Sequence, residues 1–126
     1  MSNRPVKSYG QRVKALMAEK SRLLSQAQAF AEMGLEETAR PVWSRAASYE
    51  ERIAPLFDAL GRDAEAALHW VSAAACFEKS GEFSRAANLY CAALAGPLSD
   101  EARADVQRKR SACLKQLHAA GGDSVA

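Results

Sequence analysis

Apolar side chains recur every three or four residues along most of this chain, which is the spacing of one face of an α-helix. The clearest case is the segment from about 37 to 60, where the stripe starts at Ala39 and Val42 and reaches Leu56 without a slip in phase. Four glycine-bearing breaks interrupt the pattern, at Gly34, Gly61, Gly81 and Gly96. The chain is therefore divided into helical segments by short stops.

The stops predict five helices, because glycine adopts the left-handed backbone that closes a helix. Four lie at about 8–33, 37–60, 64–79 and 82–95, and the fifth starts at Ser99; Asp63 and Ser99 are candidate N-terminal caps. The connections are only a few residues long, so consecutive helices are expected to fold back as antiparallel hairpins. The predicted fold is all-α: an antiparallel bundle of about five helices forming a single domain, 1–126, with flexible ends at 1–7 and 119–126.

Pro55 lies inside the second helical segment. It removes a backbone hydrogen bond to Glu51 and would ordinarily suggest a helix end. A turn there would throw the apolar stripe out of phase, so a kink is predicted rather than a loop. Pro41 is expected in the first turn, where its missing donor costs little.

Composition supports helices and excludes a sheet. The chain has 27 alanines but only eight Val, Ile and Thr residues together. Alanine is the best helix former, whereas a sheet needs β-branched residues on its half-buried face. Only Glu65 and His69 are potentially charged among residues 64–77, so the third helix is predicted to be central.

The net charge of +2 is too small to imply a nucleic acid or an anionic membrane as the default ligand. Residues 1–34 carry six basic and two acidic side chains, and residues 35–68 carry four and seven. No run of about 18 apolar residues suggests a membrane span, and Met1 to Tyr9 is not followed by a secretory apolar run. Three cysteines outside any Cys-x-x-Cys pair favour a reducing, cytoplasmic location.

A basic run at 107–110, with Lys115 beyond it, could contact phosphate groups. No aromatic residue that could stack on a base follows it, and Asp100, Glu101 and Asp105 dilute it one or two turns earlier. A solvated helix face is the preferred interpretation. No nucleic-acid partner is expected.

Candidate chemistry is sparse. The pairs Glu36-Glu37 and Glu50-Glu51 lack the inward Glu-x-x-His motifs of a dinuclear metal bundle, and Glu65 and His69 are spaced one residue too far apart. His69 and Cys76 lie two turns apart, roughly 10 Å by helical rise, which is too far to share a zinc ion without other ligands. No catalytic, cofactor or metal site is predicted, and the chain is not expected to be an enzyme. A metal-binding helical bundle enzyme is the weakest alternative.

The segment 67–97 resembles a tetratricopeptide repeat, a helical hairpin with large and small side chains at fixed offsets. The matching residues are Trp70, Ala74, Phe77, Gly81, Phe83, Ala86, Tyr90 and Ala93. Weaker echoes recur at intervals of 27 and 20 residues, which favours a compact bundle of related hairpins over a regular superhelix. The resemblance implies a binding groove on the third helix, lined by Val71, Ala75, Glu78 and Lys79.

The segment from about 67 to 118 is also similar to a microtubule-interacting and trafficking domain, a three-helix relative of such repeats. Ala86, Leu89 and Tyr90 match its second helix, and the third-helix pattern is carried by Arg110, Cys113 and Leu114. Both families bind segments of other proteins. This second resemblance implies an alternative groove between helices four and five, lined by Asn88, Arg103, Gln107, Arg110 and Leu114.

Two side chains are singled out by their position. Arg110 interrupts an apolar stripe, so it either extends out of the core to solvent or pairs with an acidic group of a partner. Trp43 flanks the stripe of helix two, and an exposed tryptophan there would be an anchor for a partner.

The predicted function is a non-enzymatic protein–protein interaction module that binds a helix or peptide of a partner in a groove between helices. The alternative is a self-assembling structural protein, a homo-oligomer in which the basic first helix of one copy pairs with the acidic second helix of another.

Overall fold

The computed structural model describes residues 4–125, with side chains described for residues 10–120. Its elements are α1 (Arg4–Glu32), α2 (Glu36–Ala59), α3 (Asp63–Ser80), α4 (Phe83–Leu94) and α5 (Asp100–Val125). The described residues contain no strand. The predicted all-α class and the number of helices are confirmed, and each internal boundary lies within one residue of its predicted place.

The two ends of the chain are more helical than the apolar pattern indicates. Helix α1 starts at residue 4, and α5 continues through residues 119–125. Residues 1–3 and 126, which belong to the ends predicted to be flexible, lie outside the described residues. The flexibility of 4–7 and 119–125 stays a prediction.

The three N-terminal helices end in the same way. Gly81 has φ of 87°, its N–H donates to the carbonyl of Glu78, and the N–H of Glu82 donates to the carbonyl of Phe77. These two bonds satisfy carbonyls that the end of α3 leaves unpaired. The same pair of bonds closes the two preceding helices, at Gly34 and Gly61. The predicted stops at these glycines are confirmed.

The predicted caps have different outcomes. The Ser99 hydroxyl accepts a hydrogen bond from the N–H of Ala102 at 3.1 Å, which confirms Ser99 as the cap of α5. Asp63 as a cap is wrong, because it is the first residue inside α3 and the cap position is held by Arg62, whose side chain makes no capping bond. Asp63 still stabilises α3, since a carboxylate in the first turn opposes the positive end of the helix dipole.

Helix α2 runs without a break through Pro41 and Pro55. The ring of Pro55 lies on the exposed side of the helix, while Ile53 and Leu56 on either side of it are buried. A loop at Pro55 is therefore excluded, and the apolar stripe keeps its phase as predicted.

Each helix packs against its neighbours in sequence: α1 against α2, α2 against α3, α3 against α4, and α4 against α5. Helix α3 lies between α2 and α4 in this order. Its circumference is less completely buried than its composition allows, because Leu68 is 57% exposed and Trp70 is half-buried. One side of α3 therefore faces solvent.

Small side chains make up much of the core. Twelve of the 23 buried apolar residues of the described chain are alanines, and the largest fully buried side chains include Tyr90, Phe77, Leu23 and Ile53. Alanine at a helix contact lets the two backbones approach closely, and the larger residues fill the space between helices. A second, smaller cluster joins Ile53, Phe57 and Ala66 with residues of α1.

None of the helices within residues 4–125 combines the length and the apolar character that crossing a membrane requires.

Candidate functional site

Helix α3 carries the first predicted groove set, and two of its four residues are engaged within the molecule. Glu78 accepts a hydrogen bond from the Tyr90 hydroxyl at 2.7 Å, so its carboxylate faces α4. The Lys79 ammonium lies 4.4 Å from the centre of the Trp43 ring, so it faces α2. Val71 packs against the core as a half-buried residue, and Ala75 is half-buried. The set does not form one free surface.

Glu78 lies within a small polar cluster that joins three helices. Burial, followed by the neighbouring Glu78 carboxylate, raises the pKa of the Cys113 thiol of α5 to about 11. Burial and the same carboxylate also raise the pKa of Tyr90. Both neighbours of Glu78 are therefore protonated at neutral pH and can donate to it. The hydrogen bond from Tyr90 joins α3 to α4, so the Glu78 carboxylate is not free.

Trp43 is only 6% exposed and belongs to the main core cluster. Lys79 covers it through a cation–π contact, which is attractive because the ring face is negative. Trp43 is thus a core residue, and it offers no exposed ring to a partner.

Arg103, from the second predicted set, has a structural role. One guanidinium nitrogen donates to the Leu94 carbonyl at 2.6 Å and another donates to the Gly96 carbonyl at 2.9 Å. These carbonyls lie at the end of α4, where no left-handed glycine closes the helix. A cation at this negative end both satisfies the carbonyls and opposes the helix dipole.

The rest of the second set lies along α4 and α5 with few internal partners. Asn88 and Gln107 are exposed, and Leu114 is 41% exposed. Arg110 is half-buried on the same face of α5 as the buried Val106 and Cys113. Its Nε atom is buried, and no acceptor in the described part of the chain lies within hydrogen-bond distance of it. Arg110, with its Nε unpaired, lies one turn from the exposed Leu114.

The basic run on α5 is partly neutralised. Arg108 and Lys109 both pair with Asp105, at 3.2 and 3.1 Å. These contacts lie on one exposed face of the helix and support the interpretation of the run as a solvated surface.

A buried ionic cluster was not predicted. Glu50 is 1% exposed, its Oε1 lies 2.7 Å from Nδ1 of His69, and its Oε2 lies 3.7 Å from Nζ of Lys20. The ring of His69 stacks on Phe57 with centroids 4.9 Å apart. The signal that could have revealed the cluster is Lys20, which interrupts the apolar stripe of α1.

Among the side chains described, no group of three or more His, Cys, Asp and Glu residues is placed to hold a metal ion. Glu50 and His69 contribute two candidate ligands, and Lys20 occupies the other side of the carboxylate.

Comparison with known proteins found no protein-family model, no curated protein and no solved structure that matches this chain. The resemblances to tetratricopeptide repeats and to microtubule-interacting and trafficking domains stay predictions.

Proposed function

We propose that this protein is a non-enzymatic interaction module, an adaptor or scaffold, which binds a helix or peptide of a partner protein along α4 and α5. Arg110 would pair with a carboxylate of the ligand, and Leu114 would contact an apolar side chain one turn away. A tetratricopeptide-like arrangement of α3 and α4 is part of the proposal, as is a cytoplasmic location, which the three free thiols favour.

The observation that carries the proposal is the state of Arg110. Its Nε is buried without an acceptor, and no described carboxylate lies within 4.0 Å of its guanidinium. A buried donor left unpaired costs about 1–3 kcal/mol. The terminal nitrogens of the same guanidinium would form a charge-assisted hydrogen bond with a ligand carboxylate.

The surroundings of Arg110 fit a peptide ligand. Leu114 and Gln107 lie within about one turn of Arg110 on α5 and are exposed, and Asn88 is an exposed polar residue of α4, which packs against α5. An apolar anchor flanked by polar groups is the usual composition of a groove that binds an amphipathic helix. The α3 set supports this function less well, because Glu78 and Lys79 already have partners within the chain.

Affinity capture from an extract of the native cells tests the proposal. The bait is the full chain, compared with Arg110→Glu and Leu114→Ser variants whose folding is checked by circular dichroism. The matched control is Arg108→Glu, which makes the same charge change on α5 at a residue paired with Asp105. A partner retained by the wild type and the control but lost from both groove variants supports the proposal. The same proteins captured by all four baits contradict it.

Self-assembly is the second candidate. Large apolar side chains are exposed in the α1–α3 half of the molecule, namely Met33, Leu35, Leu60 and Leu68. Exposed apolar residues of this kind favour association when they form a contiguous patch. Light scattering across a range of concentrations tests it, since a persistent monomer argues against a homo-oligomer.

A further inference from the structure

We propose that a cavity at one end of the α3–α4 pair binds an arginine side chain of a partner protein. The cavity has a volume of about 380 Å³ and lies where the end of α2, the start of α3 and the end of α4 meet. Its lining includes the carboxylate residues Asp58 and Asp63 and the small or apolar residues Ala67, Trp70, Ala92 and Gly96. Arg110 does not line this cavity, so the inference goes beyond the proposed function.

The close approach of α3 and the end of α4 shapes one wall of the cavity. A methyl group added at Gly96 would lie 2.9 Å from the Cβ of Ala67, which is closer than two carbon atoms can pack. Glycine and alanine at these positions therefore let the two segments touch. Trp70 lies one turn along α3 from Ala67, and it is half-buried, so part of its surface stays accessible.

The cavity carries two carboxylates, of which Asp63 lies at the positive end of the α3 dipole. Neither Asp58 nor Asp63 has a Lys, Arg or His nitrogen within 4.0 Å in the described part of the chain. Asp58 lies in the last turn of α2, which contains no basic residue. The negative end of the helix dipole adds to its charge there.

Two arginines close in sequence to residues of the cavity already have partners within the chain. Arg62, which lies between the two aspartates, packs its guanidinium 5.2 Å from the ring centre of Phe57 and donates to Glu65 at 2.5 Å. Arg103 is bound to the carbonyls of Leu94 and Gly96. The chain thus leaves the two carboxylates of the cavity available to a cation from outside.

An arginine side chain matches this combination of groups. Its planar guanidinium has five donors, which can bond two carboxylates at once, and it stacks on aromatic rings. Tryptophan is the best aromatic partner for a cation. A lysine ammonium is a compact charge that cannot bond in the same bidentate way. Arginine is also a frequent anchor residue in protein interfaces.

The test is a nuclear magnetic resonance titration of the ¹⁵N-labelled full chain. The probes are three acetylated, amidated pentapeptides with Arg, Lys or Gln between pairs of alanines. The indole N–H signal of Trp70 reports on the cavity, and that of the buried Trp43 serves as the internal reference. We expect the Arg peptide to shift the Trp70 signal saturably, and the Lys and Gln peptides to bind at least about tenfold more weakly.

Two double variants test whether the peptide is bound by these two carboxylates or attracted by the overall negative charge. The Asp58→Asn, Asp63→Asn double variant should weaken Arg-peptide binding by at least about tenfold. The Asp100→Asn, Glu101→Gln double variant removes the same charge from the exposed start of α5 and should bind as the wild type does. All four side chains are exposed, so folding is expected to persist and is verified from the same spectra.

Three results would overturn the inference: equal shifts of Trp70 with the Arg and Gln peptides, equal binding of the Arg and Lys peptides, or unchanged binding by the Asp58 and Asp63 double variant. None of them bears on Arg110, and loss of partner capture by the Arg110 variant leaves this titration unaffected. The two proposals can therefore fail separately.

Discussion

Nδ1 of His69 lies 2.7 Å from Oε1 of Glu50, and this contact joins α2 to α3 inside the core. The second carboxylate oxygen faces Lys20 of α1 at 3.7 Å. A carboxylate that is 1% exposed is stable only when it is paired or hydrogen-bonded. These side chains consequently couple three helices through one buried group.

Replacing Glu50 should destabilise the fold strongly. Glu50→Ala leaves His69 and Lys20 without their shared partner and opens a cavity, so the free energy of unfolding should fall by about 3 kcal/mol. Urea denaturation followed by circular dichroism measures it. The adjacent Glu51→Ala is the control, since Glu51 makes only a partly exposed pair with Arg85 and should cost less than about 1 kcal/mol. Equal losses in the free energy of unfolding would show that the buried contacts of Glu50 stabilise the fold no more than the exposed pair of Glu51 does.

Arg103→Ala should lower the free energy of unfolding by about 1–2 kcal/mol, because the terminal carbonyls of α4 lose their charged donor. Arg103→Lys should retain part of the stability, since it keeps the charge but not the two-pronged geometry. The comparison variant is Arg108→Ala on the exposed face of α5, whose effect should stay within about 0.5 kcal/mol. An equally large loss of unfolding free energy in Arg108→Ala would contradict the explanation that Arg103 stabilises the protein by capping the end of α4.

The elements were predictable from sequence because local patterns determine them. The apolar repeat that continues through Pro55 specifies a single helix there. The glycines at 34, 61 and 81 specify where helices end, and each of these signals involves only residues that are close together in the sequence. The site geometry depends instead on which helix faces meet. Glu50 and His69 are 19 residues apart, and only the packing of α2 on α3 brings them together.

The same reason explains why several candidate residues have roles inside the molecule. The family resemblances implied a groove lined by these residues, but Lys79 contacts Trp43 from another helix. Arg103 likewise binds carbonyls across the α4–α5 connection. Arg110 could be singled out from the sequence, because it is a charged residue at a position that the helical pattern assigns to the core. This is visible without knowing how the helices pack.

The three cysteines should react at very different rates. Cys91 is exposed, whereas Cys76 and Cys113 are buried. Burial raises the pKa of Cys76 to about 11, so very little of this thiol is in the reactive thiolate form at pH 7. A maleimide followed by mass spectrometry should label one thiol of the native protein quickly and all three in urea. Rapid labelling of three thiols without denaturant would contradict the buried positions.

Alkaline pH should destabilise the protein. The pKa values of Cys76 and Cys113 rise from an ordinary 9.0 to about 11 on folding, and that of Tyr90 also rises, mainly through burial. Between pH 9 and 11 the unfolded chain has lost protons that the folded chain still holds, so the free energy of unfolding falls as pH increases. Urea denaturation at several pH values measures the slope, and a Cys76→Ala, Cys113→Ala variant should show a shallower one. An identical slope would mean that the thiols are not responsible.

The same substitution at two glycines should have opposite effects. At Gly81, which has φ of 87°, alanine is forced into the left-handed region, so Gly81→Ala should lower the free energy of unfolding by about 1–2 kcal/mol. Gly10 lies within α1, so Gly10→Ala should raise the free energy of unfolding by up to about 1 kcal/mol. An added methyl group meets no atom within 4 Å at either site, so backbone conformation alone decides the sign. Thermal denaturation of both variants measures the difference, and a neutral Gly81→Ala would show that the left-handed closure of α3 is not required for stability.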